Sequence, residues 1–288
     1  MVNKGLEAQL TLKPFTTKRF EWKTSFNIAV LDNKVTKLYD GIVKQATPDS
    51  LTLLTLADIN GVGITVAEGY PIGAIYAAKY AGVNPATGRP MWYDAFGNLT
   101  YVIQNPRDLK IVGDGFAEIF GGVNTSFSYG DERTFGKLSL DVFFQGELGR
   151  DALDGTLGFL SENGGRTFNT LQNSYDNRWT TPGQITAIPR PYNGNAEIRG
   201  SNQVAGDRTV RDASYVRLKT ASISYTLPKN VLAKMKLSTL RVYAQGFNLA
   251  TWTKWTGLDP EFVNLAGNGT NGQLAPSRNY LVGVQIGF

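Results

Sequence analysis

"YLVGVQIGF", Tyr280 to Phe288, stands last in the sequence and decides how the rest is read. Taking alternate positions places Tyr280, Val282, Val284, Ile286 and Phe288 on one face of a β-strand, and Leu281, Gly283, Gln285 and Gly287 on the other. The first face is wholly apolar. A strand crossing a bilayer obliquely needs about 9 to 11 residues, but an edge strand of a soluble sandwich can carry the same alternation. The choice depends on what surrounds it.

Similar alternation recurs upstream. Leu6, Ala8, Leu10 and Leu12 precede "KPFTTKR", and Phe20, Trp22, Thr24, Phe26, Ile28 and Val30 follow it. Val123, Thr125, Phe127 and Tyr129 lead into "GDER", with Leu138, Leu140, Val142 and Phe144 beyond. "SYVRLKTASISYTL" and the run through Leu240, Val242 and Ala244 complete a set of about seven strands. Between the last pair, "PKNVLAKMKL" has Pro228 near a helix start and Val231, Leu232 and Met235 at helical spacing, which predicts a turn or two of helix. The segments 31–115, 148–212 and 252–278 lack a period and are rich in Gly, Asn and Pro, so they read as long connections.

Long and short connections alternate strictly when counted back from the terminal strand. In an antiparallel succession this puts every long loop at one end and every short turn at the other. The expected fold is therefore all-β: an antiparallel transmembrane β-barrel segment with long extracellular loops and short periplasmic turns. The alternative is a soluble β-sandwich carbohydrate-binding module, which has less reason to segregate its loop lengths.

Composition narrows the function. Charged residues are only 18% against 42% hydrophobic, the balance of an ordered chain. The net charge of +5 is scattered rather than clustered, which argues against a nucleic-acid partner. Cysteine and histidine are both absent, removing disulfides, thiol chemistry, Cys/His zinc sites and nucleophile–histidine relays. No cofactor is expected. "MVNKGLEAQLTLKPF" lacks the apolar core of a signal peptide, and "YPIGAIYAAKYAGV", the nearest approach to a membrane helix, is interrupted by Pro71 and Lys79.

"DASYVRLKTASISYTLPKNVLAKMKLSTLRVYAQGFNLATWTKWTGLDPE", Asp212 to Glu261, resembles the C-terminal region of SusC/RagA-type TonB-dependent transporters of the Bacteroidetes outer membrane. "GYPIGAIYAAKYAGVNPATGRPMWYD", "FGGVNTSFSYGDERTFGKLSLDVFFQGELG" and "RWTTPGQITAIPRP" are similar to further parts of that family, in the same order. The resemblance implies a 22-stranded barrel with an N-terminal plug. It also implies a non-enzymatic importer of glycan or peptide fragments in the bacterial outer membrane, driven by TonB and lidded by a SusD-like surface lipoprotein. On this reading residues 1–288 are the C-terminal β-barrel portion, with the plug and N-terminal strands absent and TonB engaged through the missing part. Seven strands fall short of the smallest barrel of about eight, so the chain is expected to be a fragment.

Candidate sites follow. Tyr280, Val282, Val284, Ile286 and Phe288 resemble the terminal signal read by the barrel-assembly machinery, since an apolar stripe with a free backbone edge can pair with another sheet. Phe20, Trp22, Tyr129, Tyr225, Trp252 and Trp255 sit near strand ends, where rings suit the boundary between hydrocarbon and headgroups of outer-membrane lipid. Trp92, Tyr93, Trp179 and Tyr192 lie in the long loops as possible platforms for substrate, or as loop packing. Asp151 with Asp154, and Asp259 with Glu261, have the composition of glycosidase carboxylate pairs but read better as solvated loop acids. "GNGTNG", Gly267 to Gly272, lacks the Lys and Ser/Thr of a phosphate loop.

Overall fold

A computed structural model describes residues 1–38, 45–46, 52–55, 62–103, 107–155, 157, 169–191, 206–262 and 275–288. Seven long strands form one sheet in strict chain order: β1 (Val2–Thr16), β2 (Phe20–Lys34), β3 (Ile119–Asp131), β4 (Gly136–Leu148), β5 (Tyr215–Thr226), β6 (Thr239–Thr253) and β7 (Asn279–Gly287). Every neighbouring pair is antiparallel. The sheet is open, with β1 and β7 as its edges.

Cross-strand register gathers the expected apolar positions onto a single face. Leu10 opposes Phe26, Phe26 opposes Val123, and Val123 opposes Phe144. Leu140 then opposes Ile223, Ile223 opposes Ala244, and Ala244 opposes Val282. No charged residue stands on this face over Leu6–Leu12, Phe20–Val30, Ile119–Tyr129, Leu138–Leu148, Val216–Tyr225, Leu240–Trp252 or Tyr280–Ile286. Polar atoms in the middle of this face bond within the sheet: Trp22 Nε1 donates to Thr125 Oγ1 at 2.9 Å, and Thr24 Oγ1 to the Asn124 carbonyl at 3.2 Å. That satisfaction is obligatory where water is absent. The opposite face carries Glu7, Glu21, Lys23, Asp141, Glu147, Arg217 and Arg241.

Aromatic rings bracket the apolar face. At the turn end Phe15, Phe20, Trp22 and Phe127 form one chain of ring contacts at 5.7–6.4 Å, and Tyr129, Phe135 and Tyr225 a second at 5.6–6.4 Å. At the loop end Phe144 and Trp252 meet at 6.2 Å. Trp252 opposes Val216, nine residues before Tyr225 on β5. At about 3.3 Å per residue and a tilt of roughly 40°, that interval spans about 23 Å, close to the roughly 25 Å apolar band of an outer-membrane barrel. Among the described residues no second sheet covers the apolar face and no helix is long and apolar enough to cross a membrane. A sandwich would have buried this face.

Short turns hold one end together. Thr17 Oγ1 accepts from the Phe20 amide at 2.9 Å, while Asp131 Oδ1 accepts from the Arg133 and Thr134 amides at 2.9 and 2.7 Å. Gly136 closes that second turn at φ +86°, where a side chain would also strike the Thr226 carbonyl, 2.5 Å from its Cβ position. The third turn contains the expected short helix α1 (Lys229–Met235), led by Pro228 and ended by Lys236 in the left-handed region. The observed long connections are 35–118, 149–214 and 254–278, and strand direction places all three at the other end, as the parity of the sequence required.

Candidate functional site

The described parts of the three long connections pack into a cap over the loop end of the sheet. In the first, Val62–Ala67, Ala74–Ala78 and Leu109–Asp114 form a small antiparallel sheet beside the hairpin Tyr80–Val83/Pro90–Tyr93. "AIYAA" is a short, unbroken apolar run because both its sides are covered. Tyr76, Ala78, Trp92 and Leu109 form the buried cluster at its centre, with Tyr80, Ile103 and Ile111 packed against it.

The second connection docks on the first through specific bonds. Asp207 Oδ1 accepts from the Tyr80 amide at 3.0 Å, and the Tyr80 hydroxyl donates to the Ala187 carbonyl at 3.0 Å. Burial pushes the Tyr80 hydroxyl up to about 12, against the opposing pull of the Arg208 cation, whose guanidinium lies 5.2 Å from the ring centre. Asp151 Oδ2 accepts from the Asp114 amide at 3.3 Å. Burial raises both carboxyl groups above the ordinary range, and the negative charges of Asp212, Asp114 and Glu118 raise Asp151 further.

The third connection is tied to the wall by charge. Arg217 Nη2 meets Asp259 Oδ1 at 2.6 Å and Arg217 Nη1 meets Glu261 Oε2 at 3.1 Å, while Lys219 Nζ meets Glu261 Oε1 at 2.8 Å. The Arg217 side chain is only 1% exposed. Two cations two residues apart thus meet two acids two residues apart. That matched spacing, "RLK" against "DPE", was the sequence signal for a contact 42 residues distant. Asp259 and Glu261 are structural ion-pair partners, not solvated acids. Asp154 is buried as well and accepts from the Leu157 amide at 2.8 Å, so Asp151 and Asp154 serve separate partners.

The loop aromatics are dispersed. Trp92 is 2% exposed and fills the cap core, with no face free for a ligand. Trp179 packs on Gly88 and donates from Nε1 to the Pro85 carbonyl at 2.9 Å, joining the second connection to the first. Tyr93 is 37% exposed and lies under Lys79 Nζ, 5.8 Å from the ring centre. Tyr192 lies outside the described residues. Trp255 is not at an interface but buried with Ala152 and Ala213, because its strand has ended and the chain has entered the cap. Tyr280, Val282, Val284 and Ile286 continue the apolar face of the sheet, and Phe288 follows them, 95% exposed.

No protein-family model matches the chain. It is 30% identical over 277 residues to TonB-dependent receptor P3 of Formosa agariphila, covering 90% of this chain and 25% of that receptor. It is 26% identical over 276 residues to the TonB-dependent receptor SusC of Bacteroides thetaiotaomicron, covering 90% and 24%. A structure of the RagAB peptide transporter matches with a TM-score of 0.77 at 27% identity, over 99% of this chain and 29% of that one. The RagAB peptide importer in its closed-closed state matches at 0.71 and 25% identity, with 99% and 29% covered. The chain therefore spans about a quarter of the length of the curated relatives it matches. With a charge-free face of membrane height, aromatic borders and loops segregated to one end, the chain has the wall architecture of the outer-membrane TonB-dependent receptors of the SusC/RagA type, to which it is similar over nine-tenths or more of its own length.

Proposed function

We propose that residues 1–288 form the C-terminal part of the barrel wall, with its external loops, in a longer TonB-dependent importer of glycan or peptide fragments. The observation that carries this is the charge-free apolar face shared by seven strands, backed by a polar face and topped by a cap with its own buried cluster. The edges of β1 and β7 are left for other wall strands to pair with, which gives the open sheet its use. The polar face lines the lumen, and the cap meets substrate and a SusD-like surface lipoprotein. TonB acts on a plug carried elsewhere in the protein. Tyr280, Val282, Val284, Ile286 and Phe288 present the stripe read by the barrel-assembly machinery, and of Trp92, Tyr93 and Trp179 it is Tyr93 that is most open to substrate. The relatives named above are receptors and transporters, which supports transport rather than catalysis.

Protease shaving of intact cells producing the full-length protein tests the orientation. Cleavage is expected in 35–118, 149–214 or 254–278 and not in the turns 17–19 and 132–135. Cleavage confined to the turns would reverse the topology. Uptake of glycan or peptide fragments that is independent of TonB would remove the importer reading.

A further inference from the structure

The cap holds a recess of about 270 Å³ lined by Lys79, Tyr93, Asp94, Gly97, Asp108 and Lys110. Its charges are unequally committed. Asp94 Oδ1 accepts from the Phe96 and Asn98 amides at 2.9 and 2.8 Å, closing the turn of "DAFGN". Asp108, whose side chain is fully buried, accepts from the Ala95 amide at 3.0 Å and from Arg107 Nε at 2.9 Å. Both carboxylates are held by the fold, and the Arg107 cation beside them offsets part of their charge. Among the described residues neither Lys79 nor Lys110 has an acidic partner.

Register brings those two amines together. Lys110 opposes Ala77 and Leu109 opposes Ala78, so Lys79, two residues beyond Ala77, projects on the same face as Lys110. Diagonal neighbours of this kind have Cβ atoms about 7 Å apart, a separation that lets two flexible ammonium groups converge on one carboxylate. Apolar surface lies alongside. Phe96 is 73% exposed and Leu99 58% exposed, on the same hairpin as Tyr93, and the Arg107 guanidinium stands 5.8 Å from the Phe96 ring centre. Phe96 and Leu99 offer no hydrogen bonds to the hydroxyl groups of a sugar, but they suit an apolar side chain.

Resting on the importer reading above, we infer that this recess is a peptide subsite: it takes an acidic side chain or a terminal carboxylate between Lys79 and Lys110, with an adjoining apolar side chain on Phe96 and Leu99. The test uses the full-length protein purified in detergent and fluorescently labelled decapeptides alternating Asp with Leu, Asn with Leu, or Asp with Gly. The Asp/Leu peptide is expected to bind about tenfold more tightly than Asn/Leu. Lys79→Gln with Lys110→Gln should bring that ratio to about one while leaving Asn/Leu binding within about twofold. Phe96→Ala with Leu99→Ala should weaken Asp/Leu and spare Asp/Gly. Unchanged heat-modifiable gel mobility shows that each variant is folded. A ratio that survives loss of both lysines overturns the subsite, and so does lysine-dependent binding of oligogalacturonate in preference to the Asp/Leu peptide, which would assign an acidic glycan. Uptake separates the two readings. Binding as expected with no TonB-dependent uptake removes the importer and keeps the subsite, whereas TonB-dependent uptake indifferent to both lysines, with no change in peptide binding, removes the subsite alone.

Discussion

In the wall, Leu140, Ile223 and Val282 point away from the protein and stay exposed, whereas in the cap Ile75, Tyr76 and Trp92 point inward and are almost completely covered. Both regions spend apolar side chains to leave water, but they leave it in opposite directions: the wall into lipid, the cap into itself. The difference shows in sequence texture. Wall strands alternate because only one face may be polar, while "AIYAA" does not alternate because neither face meets solvent. Charge follows the same division. Arg217 and Lys219 are carried by a wall strand, yet they face the polar side and are neutralised by Asp259 and Glu261 from the cap.

The contrast breaks most sharply at Trp92. Trp92→Ala should remove about 3–5 kcal/mol from the cap and leave the wall intact. Proteolysis of the first connection should accelerate while heat-modifiable mobility stays the same; loss of both together would mean that cap and wall are one cooperative unit. Next comes Val142→Arg, at the middle of β4 on the apolar face, which should cost about 2–4 kcal/mol of wall stability. It should depress assembled protein, while Ser139→Arg on the polar face of the same strand is tolerated. Equal assembly of the two would show that the face does not meet lipid.

Smaller effects sharpen the comparison. Val284 shares a cross-strand row with Val242 and Tyr225, close to the aromatic border, so Val284→Arg should impair assembly less than Val142→Arg but more than Gln285→Arg. Deleting Phe288 should lower the assembled level if the terminal stripe is read as a signal, although the residue is 95% exposed and contributes little packing. A normal level would limit the stripe to lipid contact. The smallest effect concerns pH. The Asp151 carboxyl is raised in the folded cap, so its favourable contribution is complete below its ordinary value of 3.8 and is lost as pH rises through the folded value. Asp151→Asn should therefore leave the cap's melting midpoint unchanged at acid pH and raise it by up to a few degrees near neutrality. An equal effect at both pH values would remove burial and neighbouring acids as the cause.

The wall was legible from sequence to within a few residues. Alternation located all seven strands, and the connections expected at 31–115, 148–212 and 252–278 are found at 35–118, 149–214 and 254–278. The largest shift, at β2, arises because pairing continues through Leu31–Lys34, where the apolar rhythm has already stopped. Helix α1 was legible from Pro228 and its spacing. The cap was not. Its strands are short and lack a period, and some of the bonds that fix them reach partners more than 100 residues away, as Asp207 does Tyr80. Aromatic residues alone could not be assigned either, since Trp252 and Trp255 are three residues apart, one exposed on the wall and the other buried in the cap. The bulges in β5 and β6 also escaped notice, although Asn248, with its left-handed φ of +52°, is a residue type suited to one.

The segregation of turns and loops also sets an order of events during folding. Closing β1 on β2 needs a connection of residues 17–19, whereas pairing β2 with β3 must close residues 35–118. For flexible chains that difference costs about 3 kcal/mol of closure entropy. Three hairpins, β1–β2, β3–β4 and β5–β6, are therefore the kinetically ready units, and the seams between them lag. The cap shortens those seams from within. With Val35 bonded to Tyr70 and Gly115 to Gly73, the small sheet that pairs Ala74–Ala78 with Leu109–Asp114 holds the two ends of the first connection close together. The loop that caps the finished wall is thus also what shortens the closure that pairing one hairpin with the next requires.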